Sequence, residues 1–222
     1  MSRDVLTKDQ IVRTAIRLLD DEGLDGLNMR SLGKRLGAAP TAVYWHVKNK
    51  DDLVLLAGDE VWTEIELPPV EGEGWRAAAT ELAGGLHAMF SRHPWLVQAF
   101  GSYLFYGPGK ARYDDHSLAV YEAGGFDEAA ADRAAAAVFT FVLGSVLGAS
   151  ASDSLAKRLA RGGGDPAALI GDALEKATAV AVEFPRLRSR LATPAAAYNA
   201  APEQTFAYGL RALLDGLSAS RE

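Results

Sequence analysis

The stretch "LNMRSLGKRLGAAPTAVYWHVKNKDDL", residues 27–53, contains two short helical segments separated by a glycine. Asn28 is a typical helix N-cap, and the glycine at position 37 is typical of a helix end. Pro40 suits the first turn of the second segment, which is predicted to run to His46 or Val47. Two short helices joined in this way indicate a helix-turn-helix, whose second helix enters the major groove of DNA.

The second of these helices is predicted to show ring-bearing side chains to solvent. At about 100° per residue, three small or branched side chains share one side and are expected to pack inward: Ala39, Val43 and Val47. Thr41 and Trp45 fall on the opposite side, with Tyr44, Ala42 and His46 on the flanks. Outward rings beside lysines suit contacts with phosphates and thymine methyl groups. The alternative is that Tyr44 and Trp45 pack against the first helix of the same unit.

The same region is a basic island in an acidic protein. Residues 28–50 contain no acidic side chain and carry +5, which leaves −11 on the remainder of a chain whose net charge is −6. The five charges belong to Arg30, Lys34, Arg35, Lys48 and Lys50. Such an island favours nucleic acid as a partner, and a solvated charged face is the alternative.

Length and composition indicate a soluble globular protein of one large domain or two small ones. The chain has 222 residues, of which 49% are hydrophobic and 23% charged, and it has no cysteine. Disulfides, thiolate metal sites and thiol nucleophiles are therefore excluded. The first twenty residues lack the apolar core of a signal peptide, and the uncharged window 134–152 is interpreted as a buried helix. We expect a cytoplasmic protein with no membrane partner.

The whole chain is predicted to be all-α, because no segment shows the alternation of a strand. Beyond a fourth helix at 51–66, helices are expected at 75–92, 95–105, 111–124, 128–151, 166–183 and 202–218. "ELPPVEGEG", residues 66–74, is the best domain boundary because its prolines and glycines cannot sustain a helix. The predicted organisation is a DNA-binding domain at 1–50, a connecting helix at 51–66, and a larger ligand-binding and dimerisation domain at 67–222.

These segments together resemble the tetracycline-repressor (TetR) family of transcription regulators. The likeness covers about residues 7–53, through "LLDDEG", "MRSLGKRLG" and "YWHVKNKDDLV". "FTFVLGSVLG" (139–148) and "FAYGLRALLDGL" (206–217) carry a weaker likeness to the C-terminal domain of the tetracycline repressors themselves. The resemblance implies an all-helical homodimer that binds double-stranded operator DNA and is released by a small-molecule effector.

The resemblance also implies a set of DNA-contacting residues. They are Arg30, Ser31, Pro40, Thr41, Ala42, Tyr44, Trp45, His46, Lys48 and Lys50. Lys50, at the start of the fourth helix, is expected to contact a phosphate. The tetracycline repressors carry a polar residue before the proline–threonine pair, where this chain has Ala39. The operator sequence is therefore expected to differ from theirs.

Two C-terminal helices are predicted to form the dimer interface. Gly144 and Gly148 give a GxxxG face that lets helix backbones approach closely, although this pattern is also common in ordinary packing. The full predicted interface is Phe141, Gly144, Gly148, Phe206, Leu210, Leu213 and Leu217. A two-fold axis through these helices separates the two recognition helices by about 34 Å, one turn of DNA.

The middle helices are predicted to enclose a small apolar or aromatic effector, because residues 86–107 are rich in rings. The candidate effector residues are His87, Phe90, Trp95, Phe100, Tyr103, His116, Tyr121, Phe139 and Leu143, and plain core packing is the alternative for each ring. Tetracycline repressors bind their drug as a magnesium chelate with a histidine near the loop that here reads "SYLFYGPGK", which has none. We therefore expect neither a metal nor another cofactor, and an effector other than tetracycline.

Two other classes of function are alternatives to a ligand-responsive repressor. An all-helical enzyme is disfavoured because the chain has no G-x-S-x-G elbow, phosphate loop, HExxH motif or ExxH di-iron pair. A helical small-molecule-binding protein without DNA binding is disfavoured by the basic island and the outward Trp45.

Overall fold

The computed structural model describes residues 6–70, 74–161, 165–193 and 202–219, and every regular element in those ranges is a helix. The predicted all-α fold is therefore confirmed. The helices are α1 (Lys8–Gly26), α2 (Met29–Leu36), α3 (Pro40–Val43), α4 (Lys50–Trp62), α5 (Trp75–Arg92), α6 (Pro94–Ala99), α7 (Pro108–Ala123), α8 (Glu128–Arg161), α9 (Pro166–Ala181), α10 (Pro185–Arg188) and α11 (Pro202–Ala219).

The N-terminal helices begin and end at the signals in the sequence. Thr7 forms a capping box with Gln10, and Asn28 forms one with Ser31, so the backbone N–H groups at both helix starts find acceptors. Gly37 ends α2 in the left-handed conformation, with φ of 62°. A Cβ at Gly33 would lie 2.8 Å from the Ala38 carbonyl oxygen, so the turn between α2 and α3 can close tightly only over a glycine.

Several predicted boundaries differ from those in the structure. The recognition helix α3 is helical only to Val43 and continues as turns, and α4 ends at Trp62 rather than at residue 66. The helix α6 ends at Ala99 instead of 105, whereas α8 continues ten residues beyond its predicted end to Arg161. The sequence 152–161 contains no proline or glycine to stop α8. Part of the predicted linker, residues 71–73, lies outside the described residues.

One continuous core runs from the helix-turn-helix into the larger C-terminal part. Ile11, Leu32 and Val43 are fully buried in the N-terminal unit, and the fully buried Val61 and Trp62 extend the same core along α4. Helices α5, α6 and α7 pack around α8, and α4 packs against both α1 and α7. Because α4 belongs to both units, it is the structural connection between them.

The helix α8 is less covered than predicted. Its segment Glu128–Leu159 is long and apolar enough to cross a membrane, a test that core helices of soluble proteins also pass. Only 28% of its most apolar window is buried inside this chain, so the prediction of a buried helix was wrong for a single chain. The uncovered side includes Gly144, Leu147 and Gly148, which lie three and four residues apart on one face.

Candidate nucleic-acid interface and effector cavity

The second helix of the helix-turn-helix shows its rings to solvent, as the helical geometry predicted. Val43 and Val47 are buried, whereas Trp45 is 87% and Tyr44 53% exposed. The alternative, in which these two rings pack on the first helix, is therefore excluded. The prediction for Ala39 was wrong: it is exposed, because it is the N-cap and its extended backbone takes it off the helical register.

The rest of the recognition surface is partly exposed. Pro40 and Thr41 are exposed, while Ala42 and His46 are half-buried at its edges. The Ser31 hydroxyl, a predicted DNA contact, accepts from the Asn28 N–H and donates to the Gly26 carbonyl oxygen. Its side chain therefore caps α2, which leaves Ser31 a structural role.

Only part of the basic island is available to an anionic partner. Arg30, Lys34 and Lys48 are exposed and form no ion pair within the described residues. Arg35 is held by Asp21 at 2.5 Å and by Glu22 at 2.9 Å, so its charge is neutralised by α1. Lys50 also differs from the prediction: its Nζ donates to the Leu24 carbonyl oxygen at 2.6 Å. Lys50 therefore ties the start of α4 to the end of α1.

A cavity of about 250 Å³ lies between α7 and α8. It is lined by Lys110, Tyr113, Asp114, Ser117, Leu118, Asp132, Ala135, Ala136 and Phe139. On both helices these residues are spaced three and four apart, so each helix gives one face to the cavity. The walls are mostly apolar, and a few polar groups converge on them, as in small-molecule sites.

An aromatic cluster lies behind the cavity wall. The ring of Trp62 is 5.0 Å from Tyr113 and stacks on Phe139 at 6.3 Å between centroids. Lys110 Nζ lies 5.4 Å from the Trp62 centroid and 5.8 Å from that of Phe139, within range of a cation–π interaction. Burial raises the pKa of the Tyr113 hydroxyl, so this wall residue is a neutral O–H.

Three of the predicted effector residues belong to this site. Phe139 lines the cavity, and Phe90 and Phe100 contact Phe139 at 6.3 and 5.6 Å between centroids. Lys110, Tyr113 and the other α7 residues of the cavity lining were not among the predicted effector residues. Their spacing of three and four residues indicates that they share one face of α7. That face mixes charged, hydroxyl and apolar side chains, so it does not form the apolar stripe that marks a buried helix face.

The structure puts the remaining predicted effector residues elsewhere. His87 stacks on Phe206 at 4.2 Å, and a ring nitrogen of His116 is 2.7 Å from the Pro68 carbonyl oxygen. Tyr103 donates to Asp51, and Leu143 is a half-buried part of α8.

Two further rings of that set also lie outside the cavity. Tyr121 packs against Trp75 and Phe126, and the Trp95 indole donates to Asp20 at 2.8 Å. Each of these side chains has a structural partner and does not line the cavity.

The helix α7 connects the cavity to α4. Asp59 on α4 accepts a hydrogen bond from the Lys110 backbone N–H at 3.0 Å, at the first turn of α7. Arg112 donates to the Ile65 carbonyl oxygen at 2.8 Å, just beyond the end of α4. A Cβ at Gly109 would lie 2.2 Å from the Asp59 carbonyl oxygen. The two helices are thus in direct backbone contact beside a cavity residue.

A second connection joins α1 to the larger part through His93. Its ring is buried, with Nδ1 2.7 Å from Asp20 and Nε2 3.2 Å from Glu64. Burial alone lowers the His93 pKa, but the hydrogen bonds and charges of Asp20 and Glu64 outweigh it, so the pKa is raised. Burial alone raises the Glu64 pKa, and the hydrogen bond from Arg92 with the His93 charge brings it below its usual value.

The predicted dimer residues divide between the surface and the core. Phe141 stacks on Phe206 at 5.7 Å, which joins α8 to α11 within the chain. Leu210 differs from the prediction, because it is buried within the single chain. Only 4% of it is exposed, which leaves little surface for a partner subunit. Leu213 and Leu217 are half-buried beside it, and Gly144 and Gly148 are exposed. Leu147 and Tyr208, which the sequence analysis did not select, are 54% and 75% exposed.

No group of three or more metal-ligating side chains comes together within residues 6–70, 74–161, 165–193 and 202–219. Sites that hold a protein-bound metal ordinarily combine three or more such ligands.

Comparison with known proteins places these features in context. Residues 11–57 match the profile of bacterial regulatory proteins of the tetR family, and residues 67–221 match the tetracyclin repressor-like C-terminal domain. An HTH-type transcriptional regulator of Saccharopolyspora erythraea is 37% identical over 145 residues, which cover 65% of this chain but only 61% of that protein. The Escherichia coli class C tetracycline repressor is 29% identical, with 97% and 92% covered.

A solved structure matches this chain over nearly the full length of both proteins. The Streptomyces coelicolor TetR family protein ActR, crystallised in complex with actinorhodin, has a TM-score of 0.76 and 30% identity, and 99% of this chain and 98% of that chain are covered.

Proposed function

The chain belongs to the TetR family of bacterial regulatory proteins, and from this premise we propose that it is a homodimeric, operator-binding transcriptional regulator released by an aromatic effector. The family consists of transcriptional regulators rather than enzymes. We infer a cytoplasmic location, because operator DNA is there.

The outward face of α3 is the observation that carries the DNA-binding role. Trp45 is 87% exposed while the valines beside it are buried, and an exposed indole of this size has no role in packing this chain. Thr41 and Trp45 would read base edges, and Arg30 and Lys48 would bind phosphates on either side. Lys50 supports this surface from behind through Leu24.

The dimer would form through the uncovered face of α8 together with α11. Gly144 offers open space where a partner helix can approach, and Leu147 on α8 and Tyr208 on α11 add exposed apolar area. An isologous pair of these faces would bury the apolar window of α8 and place two α3 helices on successive turns of one DNA face.

The cavity between α7 and α8 would hold the effector. A ligand there would touch Lys110, whose backbone is bonded to Asp59 on α4, and α4 begins beside the helix-turn-helix. A shift of α7 would therefore move α4 and change the separation of the two recognition helices. A coupling of about 1–3 kcal/mol, typical of allosteric proteins, is enough for such a switch.

Selection from a random-sequence duplex library tests the DNA-binding role. We expect enrichment of an inverted repeat, because two symmetric recognition helices read the same half-site twice. Binding of the enriched duplex should weaken steeply as salt increases, since Arg30 and Lys48 displace counterions. A library that remains random after repeated rounds with folded dimer would contradict the proposal.

A further inference from the structure

The α7–α8 cavity and the cluster behind it present hydrogen-bond donors that lack acceptors. The Trp62 Nε1–H is buried and is the one fully buried side-chain N or O atom without a hydrogen-bond partner in the described part of the chain. Leaving such a donor unpaired costs about 1–3 kcal/mol. The hydroxyls of Tyr113 and Ser117 line the cavity, and neither forms a hydrogen bond within the described ranges.

Lys110 adds a cation with spare donors. Its ammonium has three N–H groups and one acceptor, Asp114 Oδ2 at 2.5 Å. Its side chain is only 20% exposed and its charge lies over the rings of Trp62 and Phe139. An ammonium that is mostly withdrawn from water and has donors left over is a ready receptor for an anionic oxygen.

The acidic residues of the cavity lining are open to solvent. The Asp114 side chain is 48% exposed and already paired with Lys110, and Asp132 is exposed on α8. Charges open to solvent are screened and contribute little, so these carboxylates exclude an anion less effectively than the half-enclosed ammonium attracts one. The lining thus combines the mostly buried Lys110 side chain and two hydroxyls, which can donate, with two carboxylates that are open to solvent.

We propose that the effector is a planar aromatic ring system bearing an ionised carboxylate or phenolate oxygen, and that Lys110 is the residue that selects it. This rests on the proposed function, because it names the ligand class of the same cavity. The ring packs against Tyr113 and Phe139, and the anionic oxygen takes hydrogen bonds from Lys110 Nζ, with Ser117 within the same lining.

Lys110 also connects recognition to the DNA-binding unit. Its side chain meets the ligand while its backbone N–H is held by Asp59 of α4 at 3.0 Å. An anion that draws the Lys110 ammonium away from Asp114 pulls on the first turn of α7, and therefore on the hydrogen bond between the Lys110 N–H and Asp59. The residue that discriminates the ligand is thus also hydrogen-bonded to α4.

A pair of matched probes tests the charge requirement. We expect 2-naphthoate to bind the wild-type protein about ten to a hundred times more tightly than uncharged 2-naphthamide, the ratio expected of a charge-assisted hydrogen bond. Lys110→Met keeps the aliphatic stem over Trp62 and Phe139 but removes the charge, and should reduce that ratio to near one. Lys110→Arg should restore it. Lys176→Met is the matched control, since it removes an exposed lysine that pairs with Asp172 four residues away on α9.

Binding is measured by calorimetry, on variants whose thermal unfolding shows that they are folded. Equal affinity for the two probes, an unchanged ratio in Lys110→Met, or no binding of either probe to folded wild-type protein overturns the inference. Operator binding is measured on the same samples without probe. If operator binding is present alongside any of these results, the proposed function stands and only the ligand class is rejected. If operator binding is absent, the proposed function is rejected. The probe ratios then still test the ligand class of the cavity.

Discussion

Replacing His93 with alanine tests the contact between α1 and the larger part of the chain. The imidazole is 7% exposed and joins Asp20 of α1 to Glu64 at the end of α4. A hydrogen bond to a charged group contributes about 1.5–3 kcal/mol when buried, but the carboxylates of Asp20 and Glu64 are 29% and 38% exposed. We therefore expect His93→Ala to lower the free energy of unfolding by about 2–4 kcal/mol near pH 6, including the lost ring packing.

The pH dependence of this loss follows from the directions of the two pKa shifts. The His93 pKa is raised above 6.5, so its charged interactions stabilise the fold fully below pH 6.5 and are lost as the pH rises through the folded-state pKa. The Glu64 pKa is lowered below 4.5, so its contribution is present above pH 4.5 and is lost as the pH falls through the folded-state value. The combined stabilisation is therefore greatest between pH 4.5 and 6.5.

Urea unfolding followed by tryptophan fluorescence measures this effect at pH 5.5, 6.5, 7.5 and 8.5, at one protein concentration because dimerisation shifts apparent stability. The difference between wild type and His93→Ala should be largest at the two acidic values and smaller at the alkaline ones. His46→Ala, which removes a half-buried histidine of the DNA-binding unit, is the control for the loss of an imidazole ring. A difference for His93→Ala that stays constant across this range would refute the reasoning.

Three further substitutions test other parts of the structure. Lys50→Met should lower the free energy of unfolding by about 1–2 kcal/mol without DNA, because the Leu24 carbonyl loses its donor. An unchanged melting temperature would show that Lys50 does not stabilise the fold. Gly58→Ala should lower the free energy of unfolding by about 1–3 kcal/mol, since its Cβ would lie 2.2 Å from the Phe105 ring. Equal melting temperatures for the wild type and the variant would contradict this packing. Leu147→Glu should give monomers in sedimentation velocity, whereas Leu104→Glu, at a more exposed leucine in the loop after α6, should remain dimeric.

Local signals in the sequence were sufficient for the helix-turn-helix. The caps at Thr7 and Asn28, the stop at Gly37 and the outward direction of Trp45 all follow from interactions within a few residues, and the structure has each of them. The helical extrapolation failed at Ala39, where it was carried past the first residue of the helix, and it made α3 too long, since the helix ends at Val43.

Contacts between distant segments could not be read from the sequence. In the sequence alone, Lys50 and Arg35 are unpaired positive charges. In the fold they contact Leu24 and Asp21 of α1, which lie 26 and 14 residues earlier in the chain. Likewise, Trp95 was grouped with the effector rings by its neighbours in sequence, but Asp20, 75 residues away, accepts from its indole. The cavity on α7 was missed because its face carries Lys110, Asp114 and Ser117, which a search for apolar periodicity passes over.

The central claim is that the exposed face of α3 recognises DNA, and the specificity of Trp45→Ala tests it most directly. Fluorescence anisotropy compares the affinity for the selected duplex with that for a scrambled duplex, with Tyr106→Ala, which removes a 70% exposed ring between α6 and α7, as the aromatic control. We predict that Trp45→Ala lowers the ratio of the two affinities at least tenfold without changing thermal stability, which is about 1.4 kcal/mol of lost discrimination. An unchanged ratio in Trp45→Ala, or an equal loss in Tyr106→Ala, would contradict the account.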